Sequence, residues 1–133
     1  MRHQRGFSLV AALFLIVVLA MLGAFAVRIG VGQQQTVNLA LLSSRALSAA
    51  NAGVEWGGYQ AVRSNACAGS SNLNLTEGAL NGFAVRVRCQ RTTHTEQNVT
   101  IRVYDVTATA RFGTYGQPDY VSRQVRARFT NVP

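Results

Sequence analysis

The side chains able to perform acid–base, nucleophilic or metal chemistry are few and scattered in this chain. The only cysteines are Cys67 and Cys89, and the two histidines are His3 and His94. The five acidic residues are Glu55, Glu77, Glu96, Asp105 and Asp119. No two of these acids share the helical spacing that paired acid and base roles would need. Two cysteines with one nearby histidine fall short of the four ligands of structural zinc. The sequence therefore predicts no catalytic residues, no metal site, no cofactor and no enzymatic activity.

Arginine is the one abundant charged group. All thirteen basic residues are arginine, against five acidic residues, for a formal net charge of +8. In the strands predicted below, alternation places six arginines on one outward face: Arg86, Arg88, Arg102, Arg111, Arg126 and Arg128. Such a cluster could hold phosphates of nucleic acid or of lipopolysaccharide. We favour a solvated face, or one that pairs with acidic neighbouring subunits. Aromatic stacking platforms, which proteins that bind single strands use, are nearly missing from this face apart from Tyr104.

The elements that position these groups begin with an apolar segment. Residues 7–27 carry no charge and follow a short leader that contains Arg2 and Arg5. As a helix the segment would cover roughly 30 Å, the thickness of the bilayer hydrocarbon. The positive-inside bias keeps the leader in the cytoplasm and sends the rest of the chain outward. The sequence thus predicts a single-pass protein with an extracytoplasmic C-terminal domain.

The export of both cysteines favours a disulfide between them. An even cysteine count in an oxidising compartment suits one bridge. Cys89 lies on the apolar face of a predicted strand, and Cys67 lies in the loop beside it. The alternative is two free thiols that are buried separately.

Three interpretations of the N-terminus follow from these residues. The first is a secretory signal cut after Ala26, because Ala24-Phe25-Ala26 has the small-x-small form of a signal peptidase site. The second is an uncleaved anchor. The third rests on Gly6-Phe7-Ser8-Leu9, which resembles the prepilin cleavage site of type IV pilins and of type II secretion pseudopilins. That resemblance implies cleavage between Gly6 and Phe7, methylation of Phe7 and retention of the apolar segment in a filament.

A second apolar pattern indicates that the helix continues past the membrane. Spacings of three and four residues join Leu39, Leu42, Ala46, Ala49, Gly53 and Trp56, as in one stripe of an α-helix. The small members of this stripe would let another surface approach closely. We expect residues 28–62 to form the periplasmic part of the helix, with Trp56 and Tyr59 filling the space between helix and sheet.

Two motifs narrow the resemblance. The segments 4–10 and 49–57 look like the MshP and PilX-like group of minor pilins. This likeness implies a minor subunit of a type IV pilus of the MSHA type, which is inserted in the inner membrane and helps to initiate or cap the filament. The implied partners are the prepilin peptidase, other minor pilins, the major pilin and the inner-membrane assembly platform. Alternatives are a type II secretion pseudopilin and a secreted or surface adhesion protein cut after Ala26.

The chain departs from the pilin pattern at Ala11. Most pilins carry a glutamate as the fifth mature residue, and in the family this carboxylate is thought to meet the methylated amine of a neighbouring subunit. A subunit with Ala11 cannot make that contact. The departure favours a minor or terminal subunit over the repeating major one.

The C-terminal part predicts a β-sheet head, residues 63–133. Residues 64–82 have the composition of an irregular connection. Alternating residues then predict strands at 83–90, 99–112 and from 121 onward, with a bulge near Tyr104 and Asp105 to reconcile two opposite apolar phases. Arg123 interrupts the last inward row and is expected at an edge. The predicted fold is α+β and pilin-like: a long N-terminal helix packed on a small antiparallel sheet, behind a leader at residues 1–6.

Overall fold

The computed structural model describes residues 7–131. Its elements are helix α1 (Phe7–Arg63), strand β1 (Ser71–Asn74), a short 3-10 helix (Gly78–Leu80), and strands β2 (Ala84–Glu96), β3 (Val99–Phe112) and β4 (Val121–Thr130). The chain divides into two compact units, the first ending at Asn38 and the second beginning at Leu39. The predicted leader lies outside the described residues, and so does Gly6.

The first unit contains the apolar N-terminal part of α1. Its large apolar side chains are exposed, among them Leu9, Phe14, Ile16, Leu22 and Phe25. The most apolar 18-residue window of the helix has a mean hydropathy of 2.9, and none of that window is buried. This helix is long and apolar enough to cross a membrane once.

The second unit contains an antiparallel sheet with the strand order β1-β2-β3-β4. Strands β2 and β3 form a long hairpin in which Val85 pairs with Ala110 and Glu96 pairs with Val99. The two residues at its tip, Gln97 and Asn98, have φ of 47° and 66°. Two successive positive φ values are typical of the tight turns whose twist matches that of a hairpin.

The core lies between the inner face of the sheet and the part of α1 that belongs to this unit. Its largest fully buried side chains are Tyr104, Val85 and Val106. Fully burying a valine contributes about 1.5–3 kcal/mol. The Tyr104 hydroxyl donates to the Asn65 Oδ1 at 2.8 Å, and Asn65 follows the end of α1 with a φ of 51°. This hydrogen bond joins the end of the helix to the middle of the sheet.

Small residues of α1 set how closely helix and sheet approach. Ala46, Ala49, Ala50 and Ala61 are completely buried. A Cβ atom built on Gly57 would lie only 2.7 Å from Cγ1 of Val106. The glycines of this segment therefore serve close packing, since the helix continues through them to Arg63.

The α+β prediction is confirmed, but some of its details are wrong. Strand β3 has no bulge near Tyr104, because its pairing with β2 runs in unbroken register from Val99 to Arg111. The two apolar phases are the two faces of one straight strand. In addition, Ser71–Asn74 is a strand that pairs with β2, whereas the sequence predicted an irregular connection there.

The predicted filling of the helix–sheet space by Trp56 and Tyr59 is also wrong. Trp56 is 37% exposed and Tyr59 is 62% exposed. Residues of α1 that face the sheet at this level are Gly53, Gly57 and Gly58, so the two aromatic rings lie off the buried stripe. The glycines close the middle of the contact, and Trp56 lies at its margin.

Candidate functional site

The candidate sites are surfaces and a covalent bridge. Within residues 7–131, no group of three His, Cys, Asp or Glu lies close enough together to hold a metal ion. Of the residues predicted for N-terminal processing, Phe7 begins α1. Ala11 lies in the same helix and is half-buried.

The predicted disulfide is present. Cys67, in the loop after α1, is bonded to Cys89 on the inner face of β2, with a Cα–Cα distance of 5.1 Å. Beside the bridge, the Cys89 backbone N–H donates to the Ala68 carbonyl at 3.1 Å. The bridge thus fixes the chain that leaves the helix against β2.

A small hollow lies next to the disulfide. Its volume is about 170 Å³, and its lining includes Trp56, Gln60, Val87 and Cys89. Pockets that bury a small-molecule ligand usually measure about 300–1,000 Å³. This hollow is too small for such a ligand.

The predicted helical stripe divides between buried and exposed positions. Ala46, Ala49 and Gly53 are buried against the sheet, Leu42 is half-buried, and Leu39 is 42% exposed. The small residues of the stripe are therefore part of the chain's own core. The apolar residues at the N-terminal end of the stripe, Leu39 and Leu42, remain at least partly exposed.

Five of the six predicted arginines share the outward face of the sheet. The strand registers place Arg86 and Arg88 on β2, Arg111 on β3, and Arg126 and Arg128 on β4 on one side. Arg102 lies on the opposite side, because it shares the phase of the buried Tyr104. The predicted bulge near Tyr104 would have placed Arg102 on the outward side. We call the five remaining residues the arginine face.

One carboxylate lies within the arginine face. Asp105 accepts from Nε of Arg128 at 3.1 Å, and its Oδ1 lies 3.4 Å from a terminal guanidinium nitrogen of Arg126. The hydrogen bond from Arg128 is the main cause that lowers the pKa of the Asp105 carboxyl, and the positive charges of Arg128 and Arg126 add to it. Among residues 7–131, these two arginines form the only salt bridges of the chain.

Arg123 does not belong to the arginine face. It pairs with Ala110 in the inward row of the edge strand β4, and its Nε donates to the Ser43 hydroxyl oxygen at 2.8 Å. The Ser43 hydroxyl on α1 therefore provides a hydrogen-bond acceptor for Arg123, the residue that interrupts the apolar row of β4.

A shallow depression opens at the other end of the arginine face. Its volume is about 320 Å³, and its outward-facing lining consists of Asn72, Asn74, Ala84, Arg86, Thr109 and Arg111. The two asparagines were missed by the sequence prediction, because Ser71–Asn74 was assigned to a connection. The alternation of Asn72 and Asn74 with Leu73 and Leu75 was the available signal.

No protein-family model, curated protein or solved structure matches this chain. Its likeness to minor pilins rests on the two sequence motifs, at residues 4–10 and 49–57.

Proposed function

We propose that this protein is a minor pilin of a type IV pilus of the MSHA type. It is held in the inner membrane by the first part of α1, with its leader in the cytoplasm and its sheet domain in the periplasm. After cleavage between Gly6 and Phe7 it assembles with other minor pilins and with the major pilin, and it helps to initiate or cap the filament.

The observation that carries this proposal is the apolar surface of α1 beyond the membrane segment. Ile29, Val31, Val37 and Leu41 are all more than half exposed, although a span of about 20 residues suffices to cross a bilayer. Exposed apolar side chains beyond the length of a membrane span favour packing against partners. Packing among the helices of neighbouring pilin subunits would supply them, and the α+β arrangement is consistent with a pilin-like fold.

The test is mass spectrometry of the mature N-terminus. We expect a chain that begins at Phe7 and carries a methyl group on its amine. A chain that begins at Val27 would mean a secreted protein, and retention of Met1 would mean an ordinary anchor; either result contradicts the proposal. A Gly6→Val variant is the matched control, and it should keep its leader.

A pseudopilin of a type II secretion system would carry the same N-terminal processing. Deletion of the gene separates the two systems. Loss of surface pili with normal protein secretion supports the pilus assignment, whereas normal piliation with lost secretion assigns the protein to the secretion system.

A further inference from the structure

We propose that the arginine face binds the phosphate backbone of double-stranded nucleic acid, with the depression over Ala84 as its principal phosphate site. The proposal concerns the second unit alone. It goes beyond assembly of a filament and does not depend on it.

The depression has the shape and donors of a phosphate site. Ala84 forms its floor because it is flanked across the strands by the longer Asn74 and Arg111. Next to it, Arg86 is paired with Thr109 on one side and with Asn72 on the other. Side chains of Arg, Asn and Thr can all donate hydrogen bonds. Two guanidinium groups at one hollow favour a group with several acceptor oxygens and a negative charge.

The positive charge at this depression is not neutralised by a neighbour. The Arg86 Nε donates to the neutral amide oxygen of Asn72 at 3.4 Å, which directs the side chain and keeps its full charge. Asp105, the acid of this face, is already engaged by Arg126 and Arg128. Arg86, Arg88 and Arg111 form no salt bridge with any residue from 7 to 131. They are thus free to bind an external anion.

The distribution of the arginines fits a repeating anion. Residues two apart on a strand lie about 6.8 Å apart, and residues on strands β2 and β4 lie about 9.6 Å apart across the sheet. Arg88 and Arg126 are the two ends of such a row, with Thr107 between them. A polymer that carries a phosphate on every unit can contact several of these groups at once.

The composition of the face selects among polyanions. The rows from Ala84 to Gln90 present no large apolar side chain outward, and the outward Val99, Ile101 and Val103 lie beyond Asp105, away from the depression. At the depression itself a lipid surface would therefore find nothing apolar to bury. Tyr104 is buried on the other side of the sheet. The outward rows from Ala84 to Gln90 therefore provide no aromatic ring on which unpaired bases could stack. Of these polyanions, the face therefore best fits the phosphate backbone of a duplex, whose binding is independent of base sequence.

The test uses the full chain in neutral detergent micelles and a fluorescent 20-base-pair duplex. Fluorescence anisotropy should give a dissociation constant in the range of about 10⁻⁴ to 10⁻⁶ M near physiological salt. Five arginines less one aspartate leave up to about four phosphate contacts, so the logarithm of affinity should fall against that of salt with a slope of about −3 to −4.

The double variant Arg86→Gln, Arg111→Gln tests the depression. We expect affinity to fall about tenfold and the slope to flatten by about 2. The matched control is Arg45→Gln with Arg63→Gln, which removes two exposed arginines of α1 in the same unit and should change affinity less than about twofold. The intact disulfide and an unchanged thermal transition establish that each variant is folded.

Three results would overturn the proposal. Equal losses in the two double variants would mean that only net charge matters. Binding that does not respond to salt would exclude phosphate contacts. Displacement of the duplex by polyglutamate at equal charge concentration would assign the face to an acidic protein. None of these results would bear on the mature N-terminus, so the two proposals stand or fall separately.

Discussion

At the scale of single residues, Asp105 is a carboxyl whose titration the structure perturbs. Its folded-state pKa lies below the ordinary aspartate value because Arg128, and less strongly Arg126, stabilise the carboxylate. A carboxyl with a lowered pKa adds stability above its unfolded pKa of about 3.9, and that contribution is lost as the pH falls through the folded pKa.

Replacement of Arg128 tests this pair. In Arg128→Gln the titration midpoint of the Asp105 carboxyl should move up toward its ordinary value, because the larger of the two contacts is gone. Carbon-detected NMR of the carboxyl gives this midpoint directly. Arg126→Gln is the control, and it should move the midpoint less. An unchanged midpoint in Arg128→Gln would mean that the contact does not persist in solution.

The error at Arg102 illustrates what alternation can and cannot predict. The alternation of apolar residues is predicted correctly before and after Tyr104. The bulge follows only from the assumption that the apolar residues of both stretches face the helix. Strand β3 extends past the helix, where Val99, Ile101 and Val103 lie on the outer face. Sequence alone does not tell where a covering helix ends.

At the scale of elements, the contact between α1 and the sheet depends on glycine. A Cβ atom on Gly57 would lie 2.8 Å from Cγ1 of Val87 and even closer to Val106, and both valines are buried in the core. We expect Gly57→Val to destabilise the second unit by about 1–3 kcal/mol, the usual cost of overpacking a core. Urea unfolding of the full chain in micelles, followed by Trp56 fluorescence, measures this loss.

Gly69→Val is the matched control for that substitution. A Cβ atom on Gly69 meets no atom within 4 Å, so the same chemical change should leave the urea midpoint nearly unchanged. Similar losses in both variants would show that the close approach at Gly57 is not the cause.

The disulfide is the second device that holds α1 to the sheet. The bridged cysteines are separated by 22 positions, and closure of such a loop stabilises a fold by roughly 3 kcal/mol. Reduction should lower the free energy of unfolding by this order. Alkylation of the unreduced, denatured protein should modify neither cysteine, and two modified cysteines would rule the bridge out.

At the scale of the whole chain, the order of the long elements could be predicted, whereas the sheet's first strand has only a short and weak signal in the sequence. The apolar run, the helical stripe and the alternating strands each have a strong period. Strand β1 has only four residues, Ser-Asn-Leu-Asn, and it is held by pairing with β2. The depression beside it was missed for the same reason, since two of its five polar lining residues, Asn72 and Asn74, come from β1.

Ala11 carries the prediction that concerns the assembled filament. If a carboxylate normally pairs with a neighbour's amine at this position, a subunit that lacks it should occupy only a few places per pilus. Quantitative labelling of purified pili measures the copy number. Amounts comparable to the major subunit along the whole shaft would contradict the prediction.

The variant Ala11→Glu separates incorporation from folding. Because residue 11 belongs to the first unit, the urea midpoint of the sheet domain should stay the same, while the number of copies in the pilus should change. A shift of both quantities would mean that the substitution acts through stability.

The bridge between Cys67 and Cys89 also determines how this domain would carry mechanical load. When the chain is pulled from its two ends, tension reaches Cys67 from α1 and passes through the sulfur atoms to Cys89. Residues 68–88, which include all of β1, lie in a side loop outside this covalent path. Reduction would place them in series with the rest and add about 70 Å of extensible length. The outer strand and the asparagines of the depression are thus mechanically sheltered as long as the bridge is intact.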